Sequence, residues 1–407
     1  MKISEHIYSV GILNPNMRIF DVIMRTEYGT SYNSYIVKGE NKTALVETVH
    51  SGYEDTFLEN IKAVCSPDEI DYIILNHTEP DHSGCLKYIS EIMPNAQILC
   101  STAASIYLKN ITNNSALNIK AVKDGETLDL GGITFKFIMA PFLHWPDSMF
   151  TYVEEEQTVF TCDFLGAHYC EPEVFDHKVH YIHSYEDAVK YYFDCIFGPF
   201  KPYVQKGLAK LSEISFTTVC TSHGPVLTEN GHLFHCLKMY DVWSKPIEES
   251  TDKTFNIPIF YCSAYDNTLV LAKNIAQGIE QSATQHNATA NISVYDINDH
   301  DIADLSAQMN SSDAFLIGSP TINKAAAPLV WHLLSGTDAI GCKNKLVATF
   351  GSYGWSGEAV KQMNSFLSSL GYKVADENGF RAIFVPNKTE IDGAFNYGKK
   401  FGELIFG

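Results

Sequence analysis

Asp71-Tyr72-Ile73-Ile74-Leu75-Asn76, followed by His77-Thr78-Glu79-Pro80-Asp81-His82, is the stretch on which the reading of this chain turns. Its first half is a short apolar run closed off by Asp and Asn, the pattern of a buried strand. Its second half places four metal-ligand side chains, His77, Glu79, Asp81 and His82, in a turn at the end of that strand. A single histidine in such a setting is most often a satisfied structural residue. Four ligand-type residues at this density reverse that expectation and point to a metal site at the exposed end of a sheet.

Three further candidates stand at strand ends downstream. His144 follows TFKFIMA in the loop PFLHWPDS, Asp163 closes VFTCD, and His223 follows FTTVC in SHGP. Each alone is weak, since a strand-end Asp is usually a turn or cap residue. Together they form the series His-x-Glu-x-Asp-His, then His, Asp and His. That supplies seven ligands, enough for two metals bridged by a carboxylate. Around them, β-branched runs such as SYNSYIV, TALVETV and AQILC alternate with helical stretches near 83–93, 102–111 and 185–212. The pattern predicts a sheet-rich α/β or α+β domain of about 245 residues.

The composition breaks at 244–258, SKPIEESTDKTFNIP, which is polar, charged and carries Pro246 and Pro258. This reads as an interdomain linker, and the domain boundary is set between residues 249 and 250. Beyond it the rhythm becomes strand–loop–helix, with strands IPIFYCS, ISVYDI, AFLIGS and KLVATFGS. A parallel, doubly wound sheet over 250–407 is expected. Three loops at the C-termini of its strands stand out. Ser263-Ala264-Tyr265-Asp266-Asn267-Thr268 opens a helix, where backbone N–H groups and the helix dipole favour a phosphate. Ser319-Pro320-Thr321-Ile322-Asn323 and Ser352-Tyr353-Gly354-Trp355-Ser356-Gly357 follow the next two. Tyr353 or Trp355 can cover a flavin ring face, and backbone amides nearby can bind its polar edge. Trp355 also reads as a surface-packed aromatic.

The ligand series resembles the metallo-β-lactamase fold, whose hydrolytic members carry His-x-His-x-Asp-His. Here Glu79 replaces the second histidine, making the site harder and more anionic and shifting its preference from zinc toward iron. That exchange, with the flavodoxin-like second half, resembles the flavodiiron proteins over nearly the whole chain. The resemblance implies an N-terminal metallo-β-lactamase-like αββα sandwich followed by a C-terminal flavodoxin-like doubly wound parallel sheet, with FMN and two iron ions as cofactors. His77, Glu79 and His144 would hold the iron nearer the flavin, Asp81, His82 and His223 the other, with Asp163 as the bridge. Ser263, Tyr265, Asn267, Thr268, Ser319, Pro320, Thr321, Asn323, Ser352, Tyr353, Gly354, Trp355 and Gly357 would line the FMN site. Asp266 departs from a phosphate-loop pattern and is expected to point away from the anion.

The family reduces dioxygen to water, nitric oxide to nitrous oxide, or both. Dioxygen needs four electrons, which two irons and FMNH2 supply between them. The resemblance also implies a head-to-tail homodimer or dimer of dimers and a separate electron donor of rubredoxin or flavin reductase type. The ten cysteines show no Cys-x-x-Cys spacing, so zinc-knuckle, thioredoxin-type and appended rubredoxin readings are set aside. No signal pattern or long apolar stretch is seen, and a cytoplasmic, reducing location is expected. With 48 acidic against 29 basic residues, a net charge of −19, binding to nucleic acid or anionic membrane is not expected. Three readings stand: an oxygen reductase with nitric oxide as a second substrate, or primarily a nitric oxide reductase; a zinc hydrolase fused to a flavodoxin; and an electron-transfer flavoprotein that has lost its metal. Glu79 argues against the second and the complete series against the third. His168 is expected behind the ligands, and His177, His180 and His183 remain a weak candidate for an extra metal site.

Overall fold

Two six-stranded sheets organise the first 246 residues. The first runs in the spatial order Ile7–Ser9, Tyr35–Lys38, Thr43–Val46, Tyr72–Leu75, Gln97–Cys100, Ile119–Ala121. The second runs Thr127–Asp129, Thr134–Met139, Met149–Val153, Thr158–Cys162, Thr218–Thr221, Leu227–Thr228. This computed structural model describes residues 1–21, 24–246, 253–341 and 344–407. The 249/250 boundary and Cys342 lie outside them. By its contacts the chain divides into residues 1–246 and 247–407.

Both faces of these sheets are covered, which is why their strands read as apolar runs rather than as alternation. In the strand Tyr72–Leu75, Ile74 points into the core between the sheets, with Val37, Val46, Phe137 and Phe160. Ile73 and Leu75 point the other way, against Phe57, Ile61, Leu86 and Leu108 from three helices. The second sheet mirrors this, with Phe150 and Val159 packed on Tyr192, Val204 and Tyr240 of helices Ile182–Tyr192, Lys201–Leu211 and Leu233–Ser244. The result is the four-layer αββα sandwich.

The second unit holds a sheet in the order Thr289–Asp296, Thr254–Tyr261, Ala314–Gly318, Leu346–Tyr353, Lys373–Val374, with Phe380–Ile383 also on Leu346–Tyr353. All its pairings are parallel. The chain leaves Thr254–Tyr261 to one side for the second strand and to the other for the third, so the sheet reverses its winding there. Helices Asn267–Gln285 and Lys388–Phe406 cover one face. They approach so closely that a Cβ on Gly278 would lie 2.0 Å from the Phe395 carbonyl oxygen, and one on Gly398 2.0 Å from that of Ile275. No helix among the described residues is long and apolar enough to cross a membrane, and the nine described cysteines are all free thiols.

Candidate metal centre and flavin site

The ligand-type residues reach one place because of strand direction. Thr158–Cys162 and Thr218–Thr221 run parallel, and two antiparallel steps bring Thr134–Met139 into the same direction. Their C-terminal ends therefore share one edge, and the loops that follow carry His144, Asp163 and His223. From the facing sheet, Tyr72–Leu75 ends in Asn76, whose carbonyl accepts from Met149 N–H at 2.9 Å and whose side chain accepts from Thr151 Oγ1 at 2.6 Å. This pins the turn to the second sheet. Pro80 then starts a four-residue helix with Glu79 at its N-cap, in keeping with proline's preset φ at a first helical position. Cys162 takes a left-handed φ of 52° beside a register shift in its strand, a bulge that re-aims the next side chain, Asp163.

All seven side chains converge. Asp163 sits in the middle with its oxygens facing opposite ways. Oδ2 lies 3.6 Å from Nε2 of both His77 and His144, while Oδ1 lies 3.0 Å from His82 Nε2 and 3.5 Å from His223 Nε2. On the first side Glu79 Oε2 is 3.3 Å from His77 Nε2 and 3.0 Å from His144 Nε2. On the second, Asp81 oxygens lie 3.4 Å from His82 Nε2 and 3.0 Å from His223 Nε2. Among the described residues the groups with ligand atoms near one another are His77, Glu79, His144, Asp163 on the first side, Asp81, His82, His223 on the second, and His82, Cys162, Asp163, which joins the bridge residue to the second side.

Many of these contacts do not satisfy the atoms that make them. Both Asp81 oxygens and both His82 ring nitrogens are buried without a hydrogen-bond partner. Buried polar atoms left in this state are costly, and a set that points at shared positions fits cations. Burial opposes charge on His77 and His82, yet Asp147 and Glu79 beside His77, and Asp81 beside His82, raise both imidazoles well above their ordinary range. Burial likewise opposes charge on Asp163, but His82 and His77 hold it well below the usual carboxylate range. Three buried carboxylates thus need compensating positive charge, and imidazole with carboxylate at each half is a donor set suited to iron.

Residues that the sequence reading missed surround this set. Asp147, fully buried, accepts from Thr78 N at 2.8 Å, Thr78 Oγ1 at 2.7 Å and His77 Nδ1 at 3.2 Å. Tyr192 donates from its hydroxyl to Asp163 Oδ1 at 3.0 Å. Glu47, also buried, accepts from Asn76 N at 2.9 Å, and its pKa is pushed up to about 7, mainly by burial. Asp21 lies beside Glu79 and Asp81; burial and then Glu79 push its pKa up to about 6. His168 meets the His223 ring edge-on, with centroids 4.6 Å apart, and its Nδ1 lies 2.9 Å from Thr30 Oγ1; it stands behind the ligand set rather than in it. His177, His180 and His183 face different partners, Thr228, Glu171 and Glu186, and belong to no metal-type group among the described residues.

In the second unit the three loops leave Thr254–Tyr261, Ala314–Gly318 and Leu346–Tyr353, which are neighbours in the sheet. The first ends in Asp266, exposed, at φ 59° and with no side-chain cap bond, and opens the 19-residue helix Asn267–Gln285. Thr268 Oγ1 lies 3.0 Å from Ser352 Oγ, tying the first loop to the third. Ser319 Oγ accepts from Ala327 N and so closes a hairpin whose tip, Asn323 and Lys324, has positive φ at both residues, the signature of a type I′ turn. Tyr265 and Trp355 are 86 % and 93 % exposed. The third loop is shaped by close approach: a Cβ on Gly354 would meet the Phe384 ring at 2.6 Å. Phe384 and Val385, exposed on a fourth loop, were not anticipated, because nothing in FRAIFVPN marks a strand end. The hydroxyls, the helix N-terminus and the exposed rings fit the phosphate and ring of FMN.

Comparison with known proteins agrees with both halves. The ODP family beta lactamase matches residues 30–224 and flavodoxin matches residues 259–398. The flavo-diiron protein FprA2 of Clostridium acetobutylicum is 50% identical over 406 residues, spanning 100% of this chain and 99% of that one. The chain belongs to the flavodiiron proteins. Members of the family carry a di-iron site, and the flavodoxin unit implies FMN. Other relatives include a nitric oxide reductase of Moorella thermoacetica, 31% identical over 99% of this chain and 98% of that one. Among solved structures, rubredoxin oxygen:oxidoreductase from Desulfovibrio gigas is 26% identical, with a TM-score of 0.70 over 100% of this chain and 98% of that one.

Proposed function

We propose that this flavodiiron protein reduces dioxygen to water, with nitric oxide as a second substrate, at a di-iron centre held by His77, Glu79, His144, Asp163, Asp81, His82 and His223. The observation that carries the reading is the opposed aim of the two Asp163 oxygens, each toward its own histidine pair. When bound, the irons bind and polarise the substrate and FMN supplies electrons singly. The chain's own residues shape access. The side chain of His144 is 12 % exposed, against 6 % for Glu79 and 3 % or less for the other five, so substrate enters on the His144 side. Phe197 and Phe200 stand 6.3 and 6.5 Å from the His144 ring and Trp145 stands 5.0 Å from that of His77, an apolar wall that admits a small diatomic and excludes bulk water. Tyr192, donating to Asp163 Oδ1 at 3.0 Å, fixes the orientation of the carboxylate that would bridge the two irons.

FMN is held by the loops at Ser263–Thr268, Ser319–Asn323 and Ser352–Gly357, and a separate donor protein of rubredoxin or flavin reductase type reduces it. The working unit is a head-to-tail homodimer or a dimer of dimers. Support for oxygen comes from the name of the Desulfovibrio gigas structure; the relative named nitric oxide reductase supports the second substrate. Anaerobic electrode assays with each gas, using reduced rubredoxin or an artificial donor, test this. Faster turnover with O2 is expected, and turnover with NO far above that with O2 overturns the order. A sedimenting monomer with full turnover overturns the dimer.

A further inference from the structure

The three histidines with a described environment behind their metal-facing nitrogen differ in what they meet there. His223 Nδ1 donates to a backbone carbonyl, Ser31 O, at 2.6 Å. His82 Nδ1 has no hydrogen-bond partner. His77 Nδ1 meets the carboxylate of Asp147, 3.2 and 3.3 Å from its two oxygens. Asp147 is fully buried and lies three residues after His144, so it links the loop carrying one ligand-type residue to the turn carrying another. It is also held rigidly, because Thr78 N and Thr78 Oγ1 both donate to Oδ2.

We propose that Asp147 is the positioning residue of one half of the centre: it fixes the tautomer and orientation of His77 and so sets the affinity of the half formed by His77, Glu79, His144 and Asp163, independently of the other half. This rests on the ligand set proposed above. A metal ligand binds through the neutral imidazole's lone pair, so His77 must carry its proton on Nδ1 to present Nε2 bare. A carboxylate with three donors converging on it accepts all of them and donates nothing, which enforces that tautomer. Asparagine is nearly the same shape but cannot do this. The Thr78 N–H cannot turn away, so the amide oxygen must take the Oδ2 position and the NH2 faces His77 Nδ1. Nδ1 then meets an NH2 donor at the 3.2 Å position beside the amide oxygen at 3.3 Å, so the Nδ1–H tautomer is no longer enforced and the form with its proton on Nε2, aimed at the metal position, competes with it. Outer partners of metal-bound histidines contribute about 10–100-fold to affinity.

The test is a cobalt(II) titration of the metal-stripped full chain, followed by visible absorption, for wild type, Asp147→Asn and Thr78→Val. Wild type is expected to take two equivalents. In Asp147→Asn one equivalent binds as in wild type and the other about 10–100-fold more weakly, with the far-ultraviolet circular dichroism and melting of the stripped protein unchanged. Thr78→Val removes one of the donors that hold Asp147 but leaves His77 its carboxylate partner, so it is expected to weaken the same equivalent by less than Asp147→Asn does. Unchanged affinity in Asp147→Asn overturns the proposal. So does equal weakening of both equivalents, since that assigns Asp147 a role in packing alone, and so does a selective loss in Thr78→Val larger than that in Asp147→Asn, since that places the effect in the turn rather than in the carboxylate. Fewer than two equivalents in wild type would instead defeat the ligand set itself.

Discussion

Glu79 faces both His77 and His144, at 3.3 and 3.0 Å, so its identity decides the charge of that half. Glu79→His restores an all-imidazole pattern and removes one anion. Expressed in medium with equal iron and zinc, the variant is expected to gain zinc at the expense of iron by elemental analysis, with loss of gas turnover. An unchanged iron-to-zinc ratio would sink the view that this carboxylate selects the metal. Asp163→Asn leaves one oxygen to serve two histidine pairs and breaks a buried charge set, so metal content should fall in both halves and stability by about 3–5 kcal/mol, read by chemical denaturation. At this scale the ligand-type residues were legible because they cluster in sequence or close a strand. Asp147 and Glu47 were not. In HWPDS the aspartate reads as a Pro-Asp turn, and in TALVETV the glutamate reads as the position after a buried strand. Only packing shows that both side chains end beside buried imidazoles rather than in water.

The elements that carry the second unit depend on small residues. Gly278 and Gly398 let helices Asn267–Gln285 and Lys388–Phe406 touch backbone to backbone. Gly278→Ala or Gly398→Ala forces them apart and is expected to cost about 1–3 kcal/mol, measurable as a lower denaturation midpoint without change in the metal-binding titration. A midpoint equal to wild type would show that the helices separate freely. The parallel sheet was readable from its strand–loop–helix rhythm, since both faces are covered and each strand is a short apolar run. The fifth strand was not, because it is split into Lys373–Val374 and Phe380–Ile383, each too short to carry a pattern. The loop after it, with exposed Phe384 and Val385, went unnoticed for the same reason.

For the whole molecule, the balance of buried charge links metal, protons and stability. His77 and His82 are raised above the ordinary imidazole range, whose model-peptide value is about 6.5. A raised pKa adds stability that is fully present below that value and is lost as pH climbs through the folded one. Metal-stripped protein should therefore melt at a lower temperature as pH rises above neutrality. Metal-loaded protein should show the opposite trend, because the cation competes with those protons, and removing it should lower the melting temperature throughout. Scanning calorimetry with and without chelator checks both, and parallel pH trends would refute the link. The two histidine environments also bear on how such a centre changes over evolution. His223 is oriented by a main-chain carbonyl, which no substitution at Ser31 deletes, whereas the orientation of His77 hangs on one replaceable side chain. The first half of the centre is thus the half that a single base change can retune, and the second is buffered against mutation.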